Sequence, residues 1–450
     1  METDILIIGG GPGGYTAAIR AAQMGFDVTL VEKAELGGVC LNWGCIPTKS
    51  LLHSADVLRE IRKSDALGIQ VTGMKINFEK MVERSRSVAS QLNKGVHHLL
   101  RKNKVNLVLG EASIIDKNTV RVGDQSIVTD NIIIATGARP KNLPHIQVDS
   151  LKIWDAKTAM NPPFRPKSLL IIGAGAIGVE FASFYNTIDT KVTLVEVLDE
   201  ILPTEDKEIA AIAHEAFSKQ GINIRTSTGI DSISTKPSGI EAIIDGETHF
   251  FEAAILSVGV TGNLENLGLE ALCIESTAGF IDVNSSLETS VRGIYAIGDV
   301  KGAPCLAHKA THEALTVIES ILGDDAHTAP HIPGCTYSYP QIASIGLTEN
   351  QAALEHDIRI GRFPLIANGK AIAIDETEGL VKTIFDKHSG ELLGAHLVGA
   401  GVTELIAGFA IAIGLETTEA ELINTIFAHP TVSEAMHESV LSAYDRAINF

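Results

Sequence analysis

The segment GGVCLNWGCIPTK (37–49) places Cys40 and Cys45 five positions apart among Gly37, Gly38 and Gly44, with Lys49 close behind. Three chemistries compete for such a pair. A zinc site asks for two more Cys or His ligands at matching spacing. The other cysteines, Cys273, Cys305 and Cys335, are scattered, so no metal site is expected. A static disulfide suits an oxidising compartment, and five cysteines are too few for a secreted framework. A dithiol that makes and breaks a disulfide fits best: the glycines let the sulfurs meet, and the charge of Lys49 favours thiolate. The three remaining cysteines read as small buried hydrophobes. At the far end, HPTVSEAMHE (429–438) sets His429 just before Glu434. A histidine ahead of a proline is more often structural. Glu434 changes that reading, because a carboxylate on one imidazole nitrogen fixes the tautomer and leaves the other nitrogen as a base.

These groups need elements to position them. ILIIGGGPGG (5–14) is an apolar run ending in Gly9, Gly11 and Gly14. A helical stretch and VTLVE (28–32) follow, closing on Glu32. Strand, glycine turn, helix and acid-tipped strand form a dinucleotide-binding βαβ unit: the glycines admit a pyrophosphate at the helix N-terminus, and the acid accepts from a ribose diol. The pattern recurs 164 residues later in LLIIGAGAIG, with Gly173, Gly175 and Gly178, and in a second VTLVE ending at Glu196. Glu196 repels a 2′-phosphate and so favours NAD over NADP. Two dinucleotide sites and a dithiol imply an electron relay. NIIIATGARP (131–140), AAILSVGV (253–260) and GIYAIGDV (293–300) read as further buried strands, and NPPFRP (161–166) as the lead into the second unit. From about residue 330, ASIGLT, GLVKTIFD and LLGAHLVG read as an antiparallel sheet, with TELIAGFAIAIG and TVSEAMHESVLSAYD as helices. The expected class is α/β, with two Rossmann-like domains followed by an α+β domain.

Composition removes several function classes. With 36 basic and 55 acidic residues the net charge is −19, which argues against nucleic-acid or anionic-membrane partners. No apolar run is long enough for a transmembrane helix. METDILIIGG runs almost directly into a strand, without a signal peptide or Arg-rich presequence. A cytoplasmic location is expected, with a processed organellar-matrix form as the alternative.

Taken together, these motifs resemble the flavin-dependent pyridine nucleotide–disulfide oxidoreductase family over essentially the whole chain. GGVCLNWGCIPTKSLL is similar to its active-site disulfide motif, ATGARP and IYAIGDV to its other flavin-contacting segments, and HPTVSEAMHE to its C-terminal His-Pro-Thr…Glu motif. LAHKATHEA (306–314) resembles the branch that oxidises protein-bound dihydrolipoamide rather than the glutathione-reducing branch. The resemblance implies FAD in the first unit, held by Gly9, Gly11, Gly14, Glu32, Lys33, Gly38, Ala112, Thr136, Gly137, Asp299, Leu306, Ala307 and His308. Lys49 would lie near the flavin ring, paired with Glu180. NAD would occupy the second unit through Gly173, Gly175, Gly178, Glu180, Glu196 and Gly259. Cys40 would be the interchange thiol, Cys45 the thiol in charge transfer with FAD, and His429 the base, supported by Glu434.

The implied domains are FAD-binding 1–145 with a return segment 266–328, NAD-binding 146–265, and a dimerisation domain 329–450. The implied assembly is a homodimer whose active site is shared across subunits. It would serve lipoyl-bearing proteins of 2-oxo acid dehydrogenase or glycine cleavage complexes, with the lipoyl group supplied by another chain. The rival readings are a glutathione or mercuric reductase of the same family, disfavoured by Glu196 and LAHKA, and a flavoprotein assembly subunit. Three features depart from the family pattern: Val260 and Thr261 replace an Arg-Pro pair, Tyr339 and Gln341 stand where His or Thr and Glu are common, and Trp43 adds bulk beside the dithiol.

Overall fold

The computed structural model describes residues 1–324 and 331–450. The expected boundary at 328/329 lies outside the described residues. The chain divides into two compact units. The first comprises Met1–Leu51, Asn77–Lys141 and the described part of Gly259–Ala329. The second comprises Leu52–Ile76, Asn142–Val258 and the described part of Pro330–Phe450.

The first unit is built on a seven-stranded sheet. Its parallel centre runs Asn106–Leu109, Val28–Glu32, Glu2–Ile8 and Gln125–Ile134, and Ile294–Ala296 joins the last of these. The antiparallel strands Thr119–Val122 and Ala112–Asp116 extend it. Val28–Glu32 is buried at every residue, as a β-branched strand covered on both faces should be. One face packs Ile5, Ile7, Leu30 and Ile133 against the helices Pro12–Gln23 and Ala307–Leu322; the other packs Leu6, Val31 and Ile132 against Val120 and Ile127. The long helix Phe78–Lys102 starts at Asn77, whose side chain accepts Lys80 N–H at 3.0 Å. Its buried residues Val82, Ala89, Val96 and Leu100 follow helical spacing.

The second unit holds two sheets. One is parallel, in the order Asn223–Arg225, Lys191–Val195, Ser168–Ile172, Ala253–Leu256 and Ile153–Trp154. An antiparallel three-stranded layer, Ile230–Lys236, Gly239–Ile244 and Glu247–Phe251, packs on it through Ile240, Ala242 and Ile244. The other sheet is antiparallel and five-stranded, ordered Gly334–Thr336, Gln341–Gly346, Leu392–Gly399, Leu380–Asp386 and Ile358–Pro364. Val381, Phe385 and Leu397 face the helices Val402–Gly414 and Glu434–Ala443. On the opposite face the paired residues Lys382 and His396 lie toward the helix Lys207–Lys219. Two nucleotide-type α/β sheets and a C-terminal α+β layer are the architecture the motifs imply.

One expectation fails. None of the three lone cysteines is a fully buried hydrophobe: Cys273 is exposed, and Cys305 and Cys335 are partly so. Cys273 closes the short turn Glu270–Leu272 in a left-handed conformation, φ +55°. That turn follows the bend at Gly268 and has no buried residues of its own.

Candidate active site

The first cradle is set by steric necessity. Gly9 has φ +104°, and a Cβ there would stand 2.4 Å from Ala135 O; a Cβ on Gly14 would stand 1.8 Å from Gly9 O. Gly11 faces outward, with only Gly38 Cα at 3.9 Å from a Cβ position. It caps the helix Pro12–Gln23 without any side-chain hydrogen bond and with no acidic residue in the first turn. A diphosphate fits such an end, where N–H groups and the positive end of the helix dipole converge. Glu32 is buried at the strand tip, its Oε2 accepting Gly10 N–H and its Oε1 Ala34 N–H, both at 2.7 Å. Lys33 pairs with Glu111 at 3.5 Å, and Ala112 begins the adjoining strand. Thr136 and Asn263 exchange two hydrogen bonds of 2.9 Å, and Gly137, φ +70°, accepts Asn263 N–H. Residues Gly259 to Gly262 also belong to this unit. Gly259 O accepts Lys141 N–H at 2.9 Å, while Val260 and Thr261 pair antiparallel with Pro140 and Arg139.

Against this cradle lies the dithiol. A Cβ on Gly38, φ +55°, would stand 2.8 Å from Gly11 Cα, so the short helix Gly38–Trp43 that carries Cys40 starts beside the glycine turn. Cys45 opens the next helix, Cys45–Lys63. The two sulfurs are hydrogen-bonded to each other. That bond first, then burial and the neighbouring Cys45, hold the Cys40 thiol far above its ordinary range; Lys49 opposes them and Asp299 reinforces them. Lys49 therefore acts in the expected direction, but it is outweighed. Asp299 sits in the turn Gly298–Lys301, its carboxyl raised by burial and drawn down by Lys309. Burial, with Asp299 adding, pushes the Cys305 thiol up to about 11.

The sequence reading missed what fixes that turn. Glu313, almost completely buried, accepts Gly298 N–H at 2.7 Å and pairs with Lys301 at 2.9 Å and Lys309 at 3.4 Å. Lys309 also donates to Gly302 O at 3.0 Å. The one available signal was the i,i+4 spacing of Lys309 and Glu313, which puts both on one face of the helix Ala307–Leu322 that Leu306 begins and on which His308 is exposed.

In the second unit the cradle is repeated. Gly173 has φ +97°, and a Cβ there would meet Ser257 O at 2.4 Å. A Cβ on Gly178 would meet Gly173 O at 2.0 Å, and Gly175 faces open space. Glu196 accepts Ala174 N–H at 2.7 Å and Leu198 N–H at 3.0 Å. Each contact is the counterpart of one made by Glu32. Glu180 is buried, and its Oε1 accepts Tyr337 N–H at 2.9 Å. His429 is 77% exposed, with Nδ1 2.9 Å from Glu434 Oε1, while Glu434 Oε2 accepts Thr431 N–H at 2.9 Å. Burial would raise the Glu434 carboxyl, but Thr431 N–H and His429 together hold it below its ordinary range. A carboxylate only accepts, so Nδ1 carries the proton in this pair, and in the neutral tautomer that this bond selects Nε2 is the acceptor.

The departures at 339 and 341 are structural contacts of the same unit. Tyr339 Oη accepts Lys63 Nζ at 2.7 Å and donates to Glu376, beneath the Arg59 guanidinium at 4.4 Å. Gln341 accepts Thr403 Oγ1–H at 2.9 Å. Among the described residues no group of three His, Cys, Asp or Glu could hold a metal ion, and no helix is long and apolar enough to cross a membrane.

Comparison with known proteins agrees with this geometry. Residues 3–314 match the pyridine nucleotide-disulphide oxidoreductase family, and residues 332–440 match the dimerisation domain of the same name. A dihydrolipoyl dehydrogenase of Zymomonas mobilis is 50% identical, with 99% of each chain covered. Another from Rhizobium etli is 48% identical over 99% of each, and one from Bacillus subtilis is 40% identical over 100% of this chain and 99% of its own. Among solved structures, LpdA of Mycobacterium tuberculosis superposes with a TM-score of 0.92 at 27% identity, covering 97% of this chain and 99% of that one. The HOCl-induced flavoprotein disulfide reductase RclA of Escherichia coli does so with 0.89 at 27%, over 97% and 99%. With two glycine cradles, a thiol pair beside the first, and matches that span nearly its whole length, this chain belongs to the pyridine nucleotide-disulphide oxidoreductase family.

Proposed function

We propose that the protein oxidises protein-bound dihydrolipoamide to lipoamide and reduces NAD+, through a Cys40–Cys45 disulfide and FAD. The observation that carries this is the pair of hydrogen-bonded sulfurs set beside the first dinucleotide cradle. The dihydrolipoyl dehydrogenases that match over nearly the whole chain support the substrate class. FAD and NAD, when bound, supply two-electron transfer.

The chain's own residues do the rest. His429, held through Nδ1 by Glu434, takes a proton from a substrate thiol at Nε2. The thiolate attacks Cys40, a mixed disulfide forms, and Cys45 leaves as thiolate. The second substrate thiol then displaces Cys40 and closes the lipoyl disulfide, leaving two electrons on the cysteine pair. Overall, one dithiol and NAD+ give one disulfide, NADH and a proton. Gly9, Gly11, Gly14, Gly38, Glu32, Lys33, Ala112, Thr136, Gly137, Asp299, Leu306, Ala307, His308 and Lys49 would hold FAD. Gly173, Gly175, Gly178, Glu180 and Glu196 would hold NAD. The functional partition is 1–145 with 266–328, 146–265, and 329–450, except that Gly259–Gly262 fold with the first unit. In a homodimer, His429 of one copy serves the cysteine pair of the other; the lipoyl group arrives on a separate protein of a 2-oxo acid dehydrogenase or glycine cleavage complex, in the cytoplasm.

The test sets NADH against lipoamide, oxidised glutathione and mercuric ion side by side, with native protein and Cys45→Ser. Lipoamide should be the preferred acceptor, and Cys45→Ser should lose that turnover while keeping flavin. Preference for glutathione or mercuric ion, or full lipoamide turnover by Cys45→Ser, would overturn the reading.

A further inference from the structure

The helix that carries Cys40 is too short to hold itself. Gly38–Trp43 spans six residues, well below the length at which isolated helices persist. Its N-terminal end is tied by Asn42 Nδ2, which donates to Leu36 O at 2.8 Å and Gly38 O at 2.9 Å; Asn93 donates to the same Leu36 O at 2.7 Å. Its C-terminal end has a more specific fastening. Arg86, reaching in from the helix Phe78–Lys102, donates to Asn42 O and stacks over the Trp43 ring, 3.7 Å from its centroid. On the same ring, Nε1–H donates to Glu35. A cation on a terminal helix carbonyl suits the negative end of the dipole, and a guanidinium over an indole adds cation–π attraction. Trp43 is the last residue of the helix and lies two positions before Cys45. The fastening therefore grips the link between the two sulfurs.

We propose that Arg86, through Trp43 and Glu35, is a positioning residue that holds Cys40 against Cys45 and thereby sets how readily their disulfide opens. This rests on reading the pair as redox-active. Two thiols kept in contact have a high effective concentration toward each other, which favours the closed disulfide; a loosened link lowers it. The contribution of Arg86 is thus to the equilibrium of the pair, with no contact to substrate required.

The measurement equilibrates the holoenzyme with oxidised and reduced glutathione and counts the alkylated Cys40 and Cys45 by mass. Two electrons and two protons pass from the dithiol to one oxidised glutathione, giving two reduced ones. Arg86→Met should move the equilibrium constant about tenfold toward dithiol, which is about 30 mV for a two-electron couple. Trp43→Phe keeps an aromatic face but loses the N–H, so it should move the constant less and in the same direction. It carries the test if Arg86→Met fails to fold. A constant within twofold of native in the folded, flavin-bearing Arg86→Met or Trp43→Phe protein overturns the positioning role. A native pair that never closes at any glutathione ratio overturns the redox reading as well, and is a different result.

Discussion

Lys382 is the most informative single residue for the stability of the second unit. Its side chain is 1% exposed, and its Nζ lies 2.6 Å from Glu349, 2.7 Å from Asp206 and 3.0 Å from Glu208. Replacing it by methionine keeps the stem and removes the charge. Breaking a buried ion pair by deleting one partner costs about 3–5 kcal/mol. The lower end applies here, because Glu208 and Glu349 stay on Arg362 and are about one-third exposed. Asp206, 2% exposed, is the carboxylate left behind, although it still accepts Glu208 N–H and Glu349 N–H, each at 3.1 Å. A loss of about 3 kcal/mol lowers Tm by roughly 5–10 °C for a unit of this size, read by circular dichroism of the holoenzyme at fixed concentration. Lys382→Met with Asp206→Asn should recover part of it, since no bare charge remains while the amide nitrogen cannot accept the second backbone N–H.

The pH dependence has a definite sign. Burial pushes the Asp206 carboxyl up, but Lys382 and the Glu349 N–H outweigh it and hold it below its ordinary range. In the native protein its stabilisation is present above about pH 4 and is lost as pH falls through the depressed value. Without Lys382, burial prevails. The deficit of the single variant is then full at pH 7 and shrinks on acidification as Asp206 takes a proton. A single variant as stable as native, a double variant no better than the single, or a deficit that grows in acid would refute the argument.

Two further outcomes test the site. His429→Ala should slow dihydrolipoamide oxidation by about 10²–10⁴-fold, the usual worth of a general base. NADH oxidation by an artificial acceptor should fall far less, and equal losses would remove the base from His429. Gly178→Ala puts a methyl 2.0 Å from Gly173 O, so it should weaken NADH binding while flavin is retained. Loss of flavin with NADH binding intact would reverse the assignment of the two cradles.

Local sequence carried much of this molecule. The strands ending at Ile8 and Ile172, the left-handed turns at Gly9 and Gly173, and the acids at Glu32 and Glu196 were all visible, because a glycine triad after a β-branched run leaves the backbone few choices. The closeness of Cys40 and Cys45 was visible for the same reason: five residues and flanking glycines restrict the chain. Contacts made across long separations were hidden. Nothing in GLVKTIFD says that Lys382 is buried; that depends on Asp206, 176 residues away, arriving on the N-terminus of another helix. Trp43 read as bulk beside the thiols, since its partner Arg86 lies on a helix whose placement no motif specifies. Tyr339 and Gln341 were legible only as departures from the family pattern, since the side chains they meet, Lys63, Glu376 and Thr403, lie far from them in the chain. For Cys273, burial statistics for the residue type gave way to where the backbone turns, while Cys335 still packs against the core of its sheet.

The acid at each strand tip is also a brace. Glu196 spends one oxygen on Ala174 N–H and the other on Leu198 N–H, joining the glycine turn to the segment after the second strand. On the proposed assignment of NAD to this cradle, cofactor preference and loop integrity are vested in one side chain. Exchanging that glutamate for a neutral residue, the obvious route to admitting a phosphorylated ribose, would also strip both amides of their acceptor. A redesign toward NADPH has to rebuild the Ala174–Leu198 corner before a basic neighbour can help, and the twin corner at Glu32 supplies the template for what must be kept.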